Sequence, residues 1–345
     1  MRMRNFCLLF AVFTAFTGCK SSTEEELIGN WVTIGDFDGS TRNDATGFVI
    51  GDTAYICLGY NVSDKSLNDL YRYDPTNKTW ERRANFPGEP RFAAVSFTAN
   101  KKAYVGLGYN GTTIYKDFWE YDPATGVWTE VADEFPGEER YFAVGASVNN
   151  TGIVGTGTNN KNDLKDFYTF TPGSTPGSGT WKQISGYEGS KRQGASCFVI
   201  DKYLYVLGGT SNKGYPVDMQ KYDLANNKWQ KVLDLRNTDL TTDDDKYDNI
   251  PRAYASTFVI NNKAYITLGE KANVNTATTY EYDPSTNKWV ERTGFSRSTR
   301  TGAVSFSLSE TSKSRGLILT GKSGTIRFDD FFEFFPTAAN SNYDD

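Results

Sequence analysis

An arginine recurs six times along the chain, each time followed three residues later by alanine. The six are Arg42, Arg91, Arg140, Arg192, Arg252 and Arg300. A guanidinium group binds carboxylates and sulfates through paired, charge-assisted hydrogen bonds. If all six side chains surround one opening, they form a ligand-binding ring suited to an anionic glycan or an acidic protein segment.

An aspartate recurs in phase with these arginines, which gives a second interpretation. The aspartates are Asp69, Asp117, Asp166, Asp218 and Asp330. Arg and Asp that recur together also predict ion pairs that tie the repeating units together. The fifth repeat has Thr278 where aspartate is expected. Either Arg252 or the arginine of a neighbouring repeat then lacks its partner and is free for a ligand. Both interpretations stay open at this point.

Further candidates follow a glycine that recurs before each variable loop. The ligand-binding candidates there are Tyr60, Asn61, Tyr109, Asn110, Asn159 and Lys271. These loops differ most between repeats, and residues that differ are where function can reside. Aromatic faces combined with amide groups suit a sugar or a protein loop. Glu270 lies in the same position in the fifth repeat, where a carboxylate near Arg252 and Arg300 is a weaker candidate for a general base.

The composition excludes several classes of function. The chain has no histidine, so it lacks the commonest general base and the commonest transition-metal ligand. We therefore predict no cofactor, no metal site and binding rather than catalysis. The net charge of −5 disfavours a nucleic-acid partner, which requires a basic surface. The insertion at residues 232–251 contains three consecutive aspartates, which indicate either a solvated flap or a site for a hard cation.

The elements that position these residues are short strands in a repeating unit. A tryptophan recurs about every fifty residues, in phase with the arginines. The six are Trp31, Trp80, Trp128, Trp181, Trp229 and Trp289. Between successive markers, four apolar runs alternate with turns rich in Asn, Asp, Gly and Pro. This pattern predicts four antiparallel strands per repeat, which is one blade of a β-propeller.

The two ends of the chain complete the ring. The last repeat has no tryptophan strand, whereas the chain begins with an unmatched strand around Trp31. Placing this strand in the last blade gives six complete blades and removes open sheet edges. We therefore predict an all-β, six-bladed propeller over residues 28–336, with a disordered tail at 337–345. Cys57 and Cys197 lie in apolar strand patterns and are predicted to be unpaired core residues.

The repeat resembles the kelch family. The resemblance rests on the glycine that ends the second strand, the aromatic pair of the third strand, such as Tyr71 and Tyr73, and the tryptophan of the fourth. Only the fourth repeat keeps the family's Gly-Gly doublet, at residues 208–209. The resemblance implies a rigid binding or scaffolding module. The alternative is a sugar-modifying enzyme similar to the sialic acid mutarotases. Copper oxidation of the galactose-oxidase type is excluded, because that site needs histidine ligands.

The first residues resemble a bacterial lipoprotein leader. Two arginines precede an apolar run that ends in Phe-Thr-Gly-Cys, which predicts a signal peptide at residues 1–18 and lipidation of Cys19. The acidic residues 19–27 are expected to form a flexible tether, similar to the export signals of Bacteroidetes surface lipoproteins, or simply a solvated charge run. The expected location is the outer membrane, on its periplasmic or external side, with the membrane contacted only through the anchor.

Overall fold

The computed structural model describes residues 26–61, 63, 65–184, 186–235, 248–310 and 313–341 of the 345-residue chain. Cys19, the leader and most of the acidic insertion therefore lie outside the described residues. Within the described residues the secondary structure is entirely β. No helix in the described part of the chain is long and apolar enough to cross a membrane.

The strands form six four-stranded antiparallel sheets, which are the blades. In chain order from the first strand of each blade, the strands are Thr46–Ile50, Thr53–Cys57, Leu70–Asp74 and Thr79–Arg83 in blade 1; Val95–Ala99, Lys102–Gly106, Phe118–Asp122 and Val127–Glu130 in blade 2; Val144–Val148, Thr151–Gly155, Phe167–Pro172 and Gly179–Ile184 in blade 3; Ser196–Ile200, Tyr203–Leu207, Asp218–Asp223 and Lys228–Asp234 in blade 4; Ser256–Ile260, Lys263–Thr267, Thr279–Asp283 and Lys288–Arg292 in blade 5; Val304–Glu310, Lys313–Leu319, Asp330–Phe335 and Asn30–Asp36 in blade 6. The first strands of neighbouring blades contact one another in a closed ring around the axis. The predicted fold class is confirmed.

The N-terminal strand closes blade 6, as predicted. Asn30–Asp36 pairs antiparallel with Asp330–Phe335, with Trp31 opposite Phe334. The indole of Trp31 donates a hydrogen bond to the carbonyl of Thr293 in blade 5 at 3.3 Å and packs edge-on against Phe258, with ring centroids 5.9 Å apart. The N-terminal strand thus completes the sheet of blade 6 and also contacts the neighbouring blade 5.

One prediction about a single residue is corrected, that for Cys197. In the segment predicted to be a disordered tail, the backbone N–H of Ser341 donates to the side chain of Asn30 at 3.2 Å. Cys57 is an unpaired core residue, as predicted, but Cys197 is only partly buried. It lies on the inward side of a first strand and lines the central cavity, because alternate residues of these strands face the axis.

Three additional pairs of two-residue strands stand at one end of the propeller. They are Arg42–Asn43 with Tyr60–Asn61, Glu270–Lys271 with Val274–Asn275, and Lys322–Ser323 with Ile326–Arg327. These pairs lie at the end where each first strand begins and each second strand ends. The candidate residues therefore gather at this end.

Candidate functional site at the mouth of the propeller

The six repeated arginines are buried, with at most 1% of each residue exposed. Arg140 shows the pattern. Its Nη1 and Nη2 atoms each donate to Asp166 at 2.8 Å, Nη1 also donates to the carbonyl of Thr156 at 3.1 Å, and Nε donates to the carbonyl of Glu138 at 3.0 Å. The ring of Phe135 lies 5.0 Å from the guanidinium carbon. Each such arginine links the chain before the first strand to the second and third strands of its blade.

The structure therefore contradicts the prediction of a ring of ligand-binding arginines, because the arginines are buried and five of them pair with aspartates of their own blades. Arg42, Arg91, Arg140, Arg192 and Arg300 are each bonded to the aspartate that begins or directly precedes the third strand. The physical reason is register, because the third strand starts at the end of the blade where the arginine enters. Burial by itself raises the pKa of Asp166, but the hydrogen bonds and the charge of Arg140 bring it below its ordinary value.

Arg252 lacks a carboxylate partner among the described residues, as the sequence indicated. Its Nη2 donates to the hydroxyl of Thr278 at 2.7 Å, and Nη1 donates to the carbonyls of Leu268 and Thr278 at 3.1 and 2.9 Å. The side chain is nevertheless inaccessible, so it is not free for a ligand. Burial lowers the pKa of Arg252 to about 10, because the charge is removed from water without a directly bonded counterion in this part of the chain.

Thr278→Asp should stabilise the protein, because it adds the carboxylate that the other five blades have. We expect the free energy of unfolding to rise by about 1–2 kcal/mol at neutral pH. The measurement is thermal unfolding beside Thr278→Asn, which has a similar size and no charge. A melting temperature of Thr278→Asp at or below that of Thr278→Asn would show that Arg252 needs no counterion.

The mouth consists of three concentric rings of residues at the arginine end of the axis. The inner ring holds the residues two positions after each arginine: Asp44, Ala93, Phe142, Gly194, Tyr254 and Gly302. The backbone N–H of each residue in this ring donates to the backbone carbonyl of the ring residue in the preceding blade, at 2.8 to 3.3 Å. The six hydrogen bonds form a closed circle. All six residues have φ between 51° and 63°. The backbone of the mouth is therefore held by all six blades at once.

Two glycines of the inner ring leave room for neighbouring side chains. A Cβ atom on Gly194 would lie 2.4 Å from the ring of Tyr254, and one on Gly302 would lie 2.2 Å from a carboxylate oxygen of Asp44. A side chain at either position would therefore force Tyr254 or Asp44 to move. Tyr254 and Asp44 thus lean over neighbouring glycines at the centre of the mouth, where a cavity of about 130 Å³ lies between the blades.

The middle and outer rings are joined by short backbone bridges. In each blade, the residue after the repeated arginine belongs to the middle ring, and the residue after the glycine that follows the second strand belongs to the outer ring. These two residues form an antiparallel backbone bridge. The pairs are Asn43 with Tyr60, Phe92 with Tyr109, Tyr141 with Thr158, Gln193 with Thr210, Ala253 with Glu270, and Thr301 with Lys322. The structure thereby brings the predicted residues Tyr60, Tyr109 and Glu270 into one ring, although they belong to blades 1, 2 and 5.

An aromatic arc covers one side of the mouth. It consists of six rings in succession, Tyr60, Phe92, Tyr109, Tyr141, Phe142 and Tyr254, with centroids 4.8 to 5.6 Å apart. Tyr109 and Tyr141 are stacked with an interplanar angle of 24°. All six side chains are partly exposed. Sequence reasoning missed four of them, although their position one or two residues after the repeated arginine was a signal, because other repeats have small or polar residues there.

The opposite side of the mouth is polar and carries both acidic and basic side chains. Its outer ring contains Thr210, Glu270 and Lys322, and the Arg327 guanidinium carbon lies 5.0 Å from the Tyr60 ring. Nε of Arg327 donates to the side chain of Asn43 at 2.7 Å. The mouth therefore presents aromatic faces on one side and hydrogen-bonding groups on the other.

Two ionisable groups occupy the centre. Burial raises the pKa of Asp44 above its ordinary value, and the charges of Lys322 and Arg327 and a hydrogen bond from Asn43 offset part of this effect. Burial also raises the pKa of Tyr254, and the charges of Asp44 and Glu270 add to the increase. No group of three or more metal-ligating side chains occurs in the described ranges.

The other predicted site residues have local structural roles. The amide oxygens of Asn61, Asn110 and Asn159 accept hydrogen bonds from backbone N–H groups two to four residues later, which shapes their own loops. Lys271 donates to the carbonyl of Asp248. Glu270 was predicted to be a general base beside Arg252 and Arg300, whose side chains are bonded to Thr278 and Asp330.

These features define a six-bladed propeller of repeated blades with an aromatic and polar mouth at one end of its axis. The chain belongs to the kelch-repeat family, since the KLHDC2/KLHL20/DRC7 Kelch-repeats domain matches residues 133–321, more than half of its length. The Kelch motif also matches residues 41–87. The solved structure of YjhT is similar over 87% of this chain and 96% of its own, with a TM-score of 0.67 and 18% identity, which shows the same fold. No curated protein sequence matches the chain.

Proposed function

We propose that this protein is a non-catalytic carbohydrate-binding module of the bacterial cell envelope, and that the sugar binds at the mouth. The observation that carries the proposal is the aromatic arc from Tyr60 to Tyr254, whose six rings are partly exposed on one side of the opening. Aromatic rings bury large apolar area at a fixed position, and a sugar ring offers its C–H face to such a surface. The polar side of the mouth provides the groups that hydrogen-bond its hydroxyls.

The shape of the mouth favours a sugar over a folded protein partner. Its central cavity holds about 130 Å³. A stable protein interface buries about 800 Å² on each partner and is centred on a well-packed apolar patch. The mouth instead combines concavity, aromatic faces and scattered polar groups, which is the usual make-up of a small-ligand site.

The direct test is a binding screen of neutral and acidic glycans against the purified protein, followed by calorimetric titration of any ligand found. We expect binding that is saturable and that is lost when the aromatic arc is changed. Failure of every glycan to bind, with the protein folded, would overturn the proposal and redirect the search to a protein ligand.

Sugar epimerisation is the second candidate function, and one observation favours it. Asp44, with its raised pKa, lies near Tyr254 at the centre of the mouth, where the two groups can exchange protons with a bound sugar. Nuclear magnetic resonance of each bound sugar distinguishes the two functions. Faster exchange between anomers than in buffer, abolished by Asp44→Asn, would establish catalysis, and binding with unchanged exchange would exclude it.

The envelope location is part of the proposal and rests on the leader sequence alone. We expect Cys19 to carry the lipid anchor. Cys19→Ser should abolish incorporation of labelled palmitate and move the protein from the membrane fraction to the soluble fraction. Undiminished labelling of Cys19→Ser would show that the anchor is elsewhere, and absence of labelling in the unchanged protein would show that there is none.

A further inference from the structure

A polar groove leads outward from the mouth between blades 3 and 4. Its inner part, with a volume of about 620 Å³, begins at Thr158 and Gln193 of the mouth. Its outer part, about 300 Å³, ends at Tyr215. Both parts are lined by Lys191 and Lys213, so they form one continuous surface, here called the lysine groove. The inner part alone has more than four times the volume of the central cavity of the mouth, which is about 130 Å³.

The lysine groove is positively charged, although the whole chain carries −5. Lys161, Lys191 and Lys213 line it, and all three are exposed. In the part of the chain that the structure describes, none of the three forms an ion pair. The acids that line the groove are Asp163 and Asp218, and Asp218 is already bonded to Arg192 at 2.6 Å. The concave surface thus carries three lysines, and of the two acids that line it only Asp163 is not bonded to an arginine.

The groups between the lysines suit hydroxyl-rich ligands. Amide side chains of Asn162 and Asn212 line the groove and supply donors and acceptors. Aromatic side chains stand at both ends. At the inner end, the hydroxyl of Tyr141 donates to Asn160 at 2.7 Å, and at the outer end Tyr215 lines the wall. The same chemistry as in the mouth therefore continues outward, with positive charge added.

Resting on the proposed carbohydrate function, we infer that the lysine groove binds an extended acidic polysaccharide whose end lies on the aromatic arc. The ligand class is a polymer carrying carboxylate or sulfate groups at intervals. Lysine ammonium groups act as mobile point charges and accept either anion without a fixed geometry. The amide side chains and the negative charge of the whole chain favour a glycan over a nucleic acid, which would require a basic domain surface.

The test uses a charge-neutralised variant and a matched control. The variant is Lys161→Gln with Lys191→Gln and Lys213→Gln. The control is Lys182→Gln with Lys228→Gln and Lys288→Gln, which removes the same charge from three exposed lysines on outer strands. The probes are polygalacturonate, chondroitin sulfate, the neutral glycan with the highest affinity in the binding screen, and single-stranded RNA.

We expect the groove variant to lose at least about tenfold in affinity for both acidic polysaccharides at about 50 mM salt, and the control to change less than about threefold. Binding by the unchanged protein should weaken at about 300 mM salt, because surface charges are then screened. The neutral glycan should bind the groove variant normally.

Three outcomes would contradict the inference, and they point to different errors. Equal affinities of the groove variant and the control for acidic polysaccharides would refute the groove and leave the mouth proposal intact. Absence of binding to any neutral or acidic glycan would refute both. RNA binding stronger than that of either polysaccharide, lost in the groove variant, would assign the groove to nucleic acid.

Discussion

Replacing Tyr109 and Tyr141 together by alanine is expected to reduce glycan affinity by at least about tenfold, or about 1.4 kcal/mol. These two rings form the stacked centre of the aromatic arc, with centroids 4.9 Å apart. Their removal takes away the flat surface on which a sugar ring would pack, while the circle of backbone hydrogen bonds in the inner ring is untouched. Calorimetric titration with the glycans that bind the unchanged protein provides the measurement.

The control for this prediction is Tyr203→Ala. Tyr203 is also partly exposed, but it begins the second strand of blade 4 and so lies at the opposite end of the propeller from the mouth. Its ring contacts Lys202 and Lys221. Affinity should be unchanged in this variant. Because Tyr203 packs against a buried hydrophobic cluster, its melting temperature is measured as well, and glycan affinity is compared per folded molecule. Retained glycan binding in the double variant would remove the aromatic arc from the proposed site.

Arg140→Ala is expected to have the largest effect on stability. It leaves the carboxylate of Asp166 partly buried without its partner, and leaves the carbonyls of Thr156 and Glu138 without their donor. Breaking a buried pair in this way costs about 3–5 kcal/mol, a large share of the ~5–15 kcal/mol stability of an ordinary protein. Chemical denaturation measures the loss directly, and glycan binding per folded molecule should be unchanged.

The pH dependence of the same pair provides a second measurement. The folded state has a lowered pKa for Asp166, so its stabilising contribution is present above the carboxyl pKa of the unfolded chain, about 3.9, and is lost as the pH falls through the lower folded value. Asp166→Asn should therefore unfold more easily than the unchanged protein at neutral pH, and the difference should shrink as the pH falls below about 4.

A combined change separates pairing from packing. Arg140→Met with Asp166→Leu removes both charges, and it should recover part of the stability lost in Arg140→Ala because no buried charge is left unpaired. An Arg140→Ala protein with unchanged stability and lost glycan binding would reverse our interpretation and place the arginine in the ligand site.

The repeats in the sequence predict the number of blades, their four strands, the closure by the strand around Trp31 and the alternative in which Arg and Asp pair. All of these rest on residues present in nearly every repeat, such as Trp80 and Arg91. The physical reason is that every blade meets the same neighbours in the ring, so each must repeat the same contacts. The one exception in the pairing pattern, Thr278, was also visible from the repeat.

The two interpretations of the arginines are distinguished by the folded structure, because burial depends on how each blade packs over its guanidinium group. The folded structure also assembled the aromatic arc from residues that do not repeat. Phe142 and Tyr254 are more than a hundred residues apart in the chain, yet their ring centroids lie 4.8 Å apart. Their meeting depends on the circular arrangement of six blades around one axis, where each blade contributes one residue to the inner ring. No local sequence pattern predicts which side chains of the inner ring contact one another.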